Sequence, residues 1–260
     1  MPPTLGNPAV WTLTQAQVLL WVMVLTRITG LLAVLPGLGQ ERVPVQIRAA
    51  LAILMALVIT PVVPKPAQTP ASAVDLVVGM LLELATGLLM GLMVAWILEA
   101  VTFAGQLMDI QMGFSFVQFL DPASGQTTSV TGSILSQLAL LFILISGLHH
   151  TMILALVESF RIVPMAQGPP LKPQELVAVV GLLLVKGVQL AAPVLLVLFF
   201  VDVLEGISAK FMPQLQLIQL SFPIKISVGL VIFALAIREF GTWIMPLLEW
   251  APRQALRLLA

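Results

Sequence analysis

Four charged side chains sit where an aliphatic environment should exclude them. Arg27, Glu83, Lys186 and Lys225 each lie inside a long apolar run, and Asp202 and Glu205 stand at the exit of another. A charge in hydrocarbon is costly and is normally found facing a cavity or an opposite charge. The active chemistry open to such groups is proton or ion relay. The passive chemistry is ion pairing, within one chain or between chains of an assembly. The signs are mixed and no relay spacing recurs, so Arg27, Glu83, Lys186 and Lys225 are read as charges that pair inside an assembly.

Other chemistries find little support in the residue types. The chain has no cysteine, which removes disulfides, Cys-based zinc sites and thiol catalysis. His149 and His150 are adjacent, so on a helix they point about 100° apart, and neither HExxH spacing nor another ligand accompanies them. No metal site is expected. Gly37-Leu38-Gly39 lacks the third glycine of a dinucleotide fingerprint and the Gly-Lys-Ser/Thr of a P-loop, and no GxSxG occurs. Neither a catalytic set nor a cofactor site is legible, and the chain is not expected to be an enzyme.

One segment stands out by composition. From Gly105 to Gly125 three glutamines, two aspartates and three glycines lie among methionines and phenylalanines, between two long aliphatic runs. Mixed-polarity backbone at membrane depth is tolerated where protein encloses it or where it lines a cavity. Met108 and Met112 are four apart and, with Phe114, Phe116 and Phe119, offer flexible and aromatic surface that can close around whatever occupies a channel. Gln106, Gln111, Ser115 and Gln118 can satisfy backbone or water, and Gly113 permits a bend. A deformable seal is one reading. The other is an ordinary connecting loop with its turn at Asp121-Pro122.

The elements that must position these residues follow from the apolar runs. The chain has 260 residues, 59% hydrophobic and 9% charged, where a soluble domain carries about a quarter charged. Runs at Trp11 to Leu35, Val45 to Val63, Leu76 to Ile97, Ile134 to Val157, Leu176 to Leu204 and Leu215 to Ile237 each approach or exceed the roughly 20 residues that cross about 30 Å of hydrocarbon. Prolines and glycines at Pro36-Gly37, Pro61, Pro64 to Pro70 and Pro164 to Pro173 mark their ends. In the third run Gly87, Gly91 and Ala95 recur every fourth residue, a spacing that lets a neighbouring helix approach closely. The tail from Trp243 sets Leu247, Ala251, Ala255 and Leu258 on one side and Glu249, Arg253 and Arg257 on another, with Pro246 and Pro252 expected to interrupt it. Twelve basic and twelve acidic residues balance, so no nucleic-acid surface is implied. Arg42 and Arg48 place the first loop in the cytoplasm, yet alternation would then put Arg238, Arg253 and Arg257 outside. Either some runs are hairpins that do not cross, or sister subunits cover them. The first apolar run is expected to be retained, because no Lys or Arg precedes Arg27 as a cleaved signal would require.

At Gln111-Met112-Gly113-Phe114-Ser115-Phe116, followed by Phe119-Leu120-Asp121-Pro122-Ala123-Ser124, the sequence resembles the FliR family of flagellar biosynthesis proteins, inner-membrane components of the type III export apparatus. Arg42-Val43-Pro44, Gly147-Leu148-His149 and Met212-Pro213-Gln214 are similar in order and spacing, so the resemblance covers nearly the whole chain. It implies an all-α membrane protein of stacked helical hairpins. Residues 1–165 would form a FliP-like part containing the plug segment 105–125, and residues 171–260 a FliQ-like hairpin with an amphipathic tail. It further implies assembly with FliP and FliQ, with FlhB nearby, into a gate of the inner membrane and flagellar basal body that passes unfolded flagellar subunits. The family's plug falls here on Met108, Gln111, Met112, Gly113, Phe114, Ser115 and Phe116. Injectisome homologues of the SctT group share the architecture, and Asp121-Pro122-Ala123-Ser124 after Gln111-Met112-Gly113 favours the flagellar branch. The alternative from another class is a small-solute or ion transporter with Glu83, Lys186 and Lys225 along a midplane path.

Overall fold

A computed structural model of the chain describes residues 15–37, 43–64, 72–114, 129–170, 172–211 and 217–260. Among these residues there are eight α-helices and no strand: α1 (Gln15–Val34), α2 (Val45–Ile59), α3 (Ala73–Met112), α4 (Val130–Ile145), α5 (Leu148–Ile162), α6 (Pro173–Phe211), α7 (Leu217–Ile237) and α8 (Phe240–Leu259). The protein is an all-α membrane protein.

Local chemistry explains where several helices begin. Before α3, the Ser72 amide donates to Asp75 Oδ2 (3.0 Å) and the Asp75 amide to Ser72 Oγ (3.1 Å), a reciprocal cap that satisfies otherwise orphaned N–H groups. Helix α4 starts behind Ser129, whose side chain accepts from the Gly132 amide. Pro173 opens α6 at the position where its missing N–H costs nothing, with Glu175 in the positive first turn.

Among the described residues three helices are long and apolar enough to cross a membrane, namely α1, α3 and α6, and up to five elements qualify if the bent pairs α4–α5 and α7–α8 each count as one span. Helix α2, at 15 residues, is too short, since it rises only about 22 Å. The six expected runs therefore do not map onto six straight spans. The fourth is broken at Gly147, which takes φ 68° and lets α5 leave α4 at 68°. Only a residue without Cβ adopts that backbone at little cost. The tail is continuous helix through Pro246 and Pro252, contrary to the expected interruption. Each proline removes one backbone donor, but the buried stripe of Leu247, Leu248, Ala251, Ala255, Leu258 and Leu259 outweighs that loss. Pro193 and Pro223 likewise lie inside α6 and α7. Helix α3 overruns its apolar stretch to Met112, so the opening residues of the polar segment are helical.

The helices form two compact units. The first comprises Met1–Ala95, His149–Lys172 and Ala251–Ala260. Its core joins Val24, Ile28 and Leu31 of α1 to Met90, Met93 and Val94 of α3 and to Leu156 and Phe160 of α5. Here α1 and α3 touch backbone to backbone: a Cβ on Gly87 would stand 2.0 Å from the Arg27 carbonyl oxygen, and one on Gly91 2.7 Å from that of Leu31. The second unit comprises Trp96–Leu148 and Pro173–Trp250. Ile97, Val101, Ala104, Met108 and Met112 of α3 are buried in it, as are Leu135 and Ala139 of α4, Val194 and Leu198 of α6, and Phe240 and Ile244 of α8.

Candidate functional site

The first unit contains a buried ion pair held from four directions. Arg27, fully buried, donates from Nε to Glu83 Oε2 at 2.6 Å. Its terminal nitrogens donate to Ser159 Oγ (3.0 Å) and to the Val163 carbonyl (3.2 Å), and the guanidinium carbon lies 4.0 Å from the centroid of the Phe160 ring. The second Glu83 oxygen accepts the Ala166 amide at 2.9 Å. Ala166 takes φ 63°, a left-handed conformation that costs an ordinary residue of order 1 kcal/mol. A charged acceptor on its amide offsets that cost. Helices α1, α3 and α5 and the turn after α5 thus converge on one charge pair.

The second unit holds the polar end of α3. Asp109 is 2% exposed and sits at the N-terminus of α4, where unpaired N–H groups favour a negative charge. It accepts from Ser129 Oγ (2.6 Å) and from the Thr131 amide (3.3 Å). Thr131 Oγ1 lies within bonding distance of both Asp109 and the Gly105 carbonyl, and its one hydrogen serves one of them at a time. This close docking needs two glycines, because a Cβ on Gly105 would come within 2.2 Å of the Gly132 Cα. Two residues beyond Asp109, Gln111 Nε2 donates to Asp202 Oδ2 at 2.7 Å, and Asp202 is also paired with Lys225. Gln111 ties α3 to α6, and Lys225 ties α6 to α7. Glu205, one turn beyond Asp202, accepts from Ser221 Oγ at 2.6 Å.

The expected seal residues distribute as follows. Met108 and Met112 are fully buried on α3, with Met112 against Gly229 of α7. Gly113 ends the helix at φ 88° and lies under the Phe222 ring, where an added Cβ would sit 2.6 Å from a ring carbon. Gln111 and Phe114 are partly exposed. Ser115 and Phe116, together with Gln118, Phe119, Asp121 and Pro122, lie outside the described residues. Lys186 is partly exposed on α6 and donates to Gln189 at 3.1 Å. His149 and His150 open α5, exposed, with ring centroids 4.1 Å apart. Among the described residues no group of His, Cys, Asp or Glu could hold a metal ion.

Sequence reasoning missed Ser159, Phe160 and Ala166 as partners of the buried pair, and only the α5 register could have hinted at the first two. Ser129 was findable, since an N-cap residue directly before an apolar run is a readable helix start.

Residues 18–249 match the family described as bacterial export proteins, family 1. The flagellar biosynthetic protein FliR of Caulobacter vibrioides is 29% identical over 227 residues, covering 86% of this chain and 90% of that protein. The flagellar biosynthetic protein FliR of Bacillus subtilis is 30% identical over 218 residues, covering 81% and 83%. The surface presentation of antigens protein SpaR of Salmonella typhimurium is 28% identical over 210 residues, covering 80% and 79%.

Proposed function

The chain belongs to the bacterial export proteins of family 1, and on that premise we propose that it is a component of the flagellar type III export gate. In this reading it assembles with FliP and FliQ, with FlhB attached nearby, in the inner membrane at the base of the flagellum. Unfolded flagellar subunits pass through the assembly. The chain itself performs no chemistry, and the driving energy comes from the proton motive force or a partner ATPase. The observation that carries the proposal is the family match across almost the whole chain. The Gln111-Met112-Gly113 and Asp121-Pro122-Ala123-Ser124 pattern favours the flagellar branch over the virulence branch.

Within that gate, residues 1–165 act as the FliP-like part and 171–260 as the FliQ-like part. The segment from Met108 through Phe116 serves as the plug. Its described portion is anchored twice, by Asp109 on the start of α4 and by Gln111 on the Asp202–Lys225 pair. Such anchoring suits a closure that must stay put until the gate opens. A strain lacking the gene should be non-motile and retain flagellar subunits in the cytoplasm, and re-expression of the chain should restore both. Export that continues in the deleted strain would refute the gate assignment. Deleting Gln111 to Ser115 should leave the complex assembled but let ions leak across the membrane. An assembled complex that stays ion-tight would refute the plug.

A further inference from the structure

Glu99 is the anomaly that the ion pairs described above leave unexplained. Among the described acidic residues it alone has no hydrogen-bond or ion-pair partner. It is exposed, yet it sits on α3, a helix long and apolar enough to span a membrane. It lines a groove of about 240 Å³ together with Trp96, Phe103 and Gln106 of α3 and Leu183 and Leu184 of α6. The floor of this groove is closed, because Gly187 brings α6 so near that an added Cβ would stand 2.7 Å from the Ala100 carbonyl oxygen.

The geometry selects the occupant. Trp96, Glu99, Phe103 and Gln106 follow one face of α3 at helical spacing, so the groove is a straight stripe about 15 Å long. A stripe of that length matches a helix laid alongside. Apolar walls around a lone carboxylate demand a long side chain with an apolar stem and a cationic tip, which is lysine or arginine. Trp96 and Phe103 offer aromatic faces on which such a stem or its charge can rest. A lipid tail satisfies the walls but leaves the carboxylate without a counter-charge, which is the costly arrangement in hydrocarbon.

We propose that the α3–α6 groove seats a membrane helix of another chain whose lysine or arginine pairs with Glu99. The pairing concerns this face alone and does not depend on what the assembly exports, so it can fail while the gate assignment stands. The test places a photo-crosslinking amino acid at Phe103 in the full chain, expressed in its own cell, and identifies the captured peptide by mass spectrometry. The expected product is one partner peptide from an apolar helix with a Lys or Arg within about one turn of the attachment point. Glu99→Lys should lower its yield at least about tenfold, since it sets like charges against each other across the groove. Changing the partner's basic residue to Glu should restore the product with Glu99→Lys and abolish it with the native chain. Glu99→Gln, nearly isosteric and uncharged, guards against misfolding and should give an intermediate yield at unchanged protein level. Capture of lipid, of a second copy of this chain, or of a helix without a nearby base would overturn the proposal. So would a yield indifferent to both Glu99 variants.

Discussion

Replacing Glu83 by alanine tests whether the buried pair is a structural pin. The variant leaves the Arg27 guanidinium fully buried with only Ser159 Oγ and the Val163 carbonyl as acceptors, and it frees the Ala166 amide. An uncompensated buried charge costs about 3–5 kcal/mol. Arg27→Met strands the Glu83 carboxylate and should cost a similar amount. The double variant Arg27→Met with Glu83→Ala removes both charges and leaves only the Ala166 amide and the Val163 carbonyl without partners, at about 1–3 kcal/mol each. Its loss should therefore fall well short of the two single losses combined, with a coupling of about 3 kcal/mol or more between the sites. Unfolding by dodecyl sulfate in mixed micelles, followed by helix circular dichroism, measures all four proteins under one set of conditions. Strict additivity would refute the reasoning, because it would mean that neither charge depends on the other. A loss below about 1 kcal/mol for Glu83→Ala would refute it as well, since that is the scale of a solvated pair.

Three further substitutions bear on the second unit. Gly105→Ala should destabilise by about 1–3 kcal/mol in the same unfolding assay, because its Cβ meets the Gly132 backbone, which has no side chain to move aside. Gly181→Ala, where nothing lies within 4 Å, should instead stabilise by about 0.5–1 kcal/mol. Equal effects at the two positions would contradict the α3–α4 contact as described. Asp109→Ala should cost about 1.5–3 kcal/mol by removing a charged acceptor from Ser129 and Thr131. Hydrogen exchange should then quicken at the amides of the first turn of α4 more than elsewhere in that helix, and uniform exchange along α4 would count against the anchor.

The class of fold was legible because hydropathy and proline placement are one-dimensional signals; α1, α2, α6 and α7 begin close to where those signals fall, whereas α3 runs fifteen residues past its expected end at Ile97, to Met112. The 68° corner at Gly147 was not legible, because a glycine in an apolar run reads equally as packing or as a break until its φ is known. The continuity of α8 through Pro246 and Pro252 was misread for the converse reason, since a proline's local penalty is visible in sequence and the burial that offsets it is not. Arg27 and Glu83 were recognisable as charges needing partners. That they partner each other across 56 positions of sequence is a fact of tertiary packing that spacing does not carry. In the polar segment, composition identified the region, whereas the role of Asp109 as an anchor depends on Ser129 and Thr131, which sit on the far side of a connection.

Helix α6 also works as a ruler. With 39 residues it is about 58 Å long, nearly twice the hydrocarbon thickness of about 30 Å. Set upright with Val177 at one boundary, the roughly 20 residues that fill the hydrocarbon end near Leu196, and Asp202 stands about 9 Å farther along. In that placement the cluster of Asp202, Lys225 and Gln111 lies beyond the hydrocarbon. The apolar length of one rod therefore sets the height at which the polar end of another is fastened. Removing or adding whole turns in α6 would change that height while leaving the fastening chemistry itself intact.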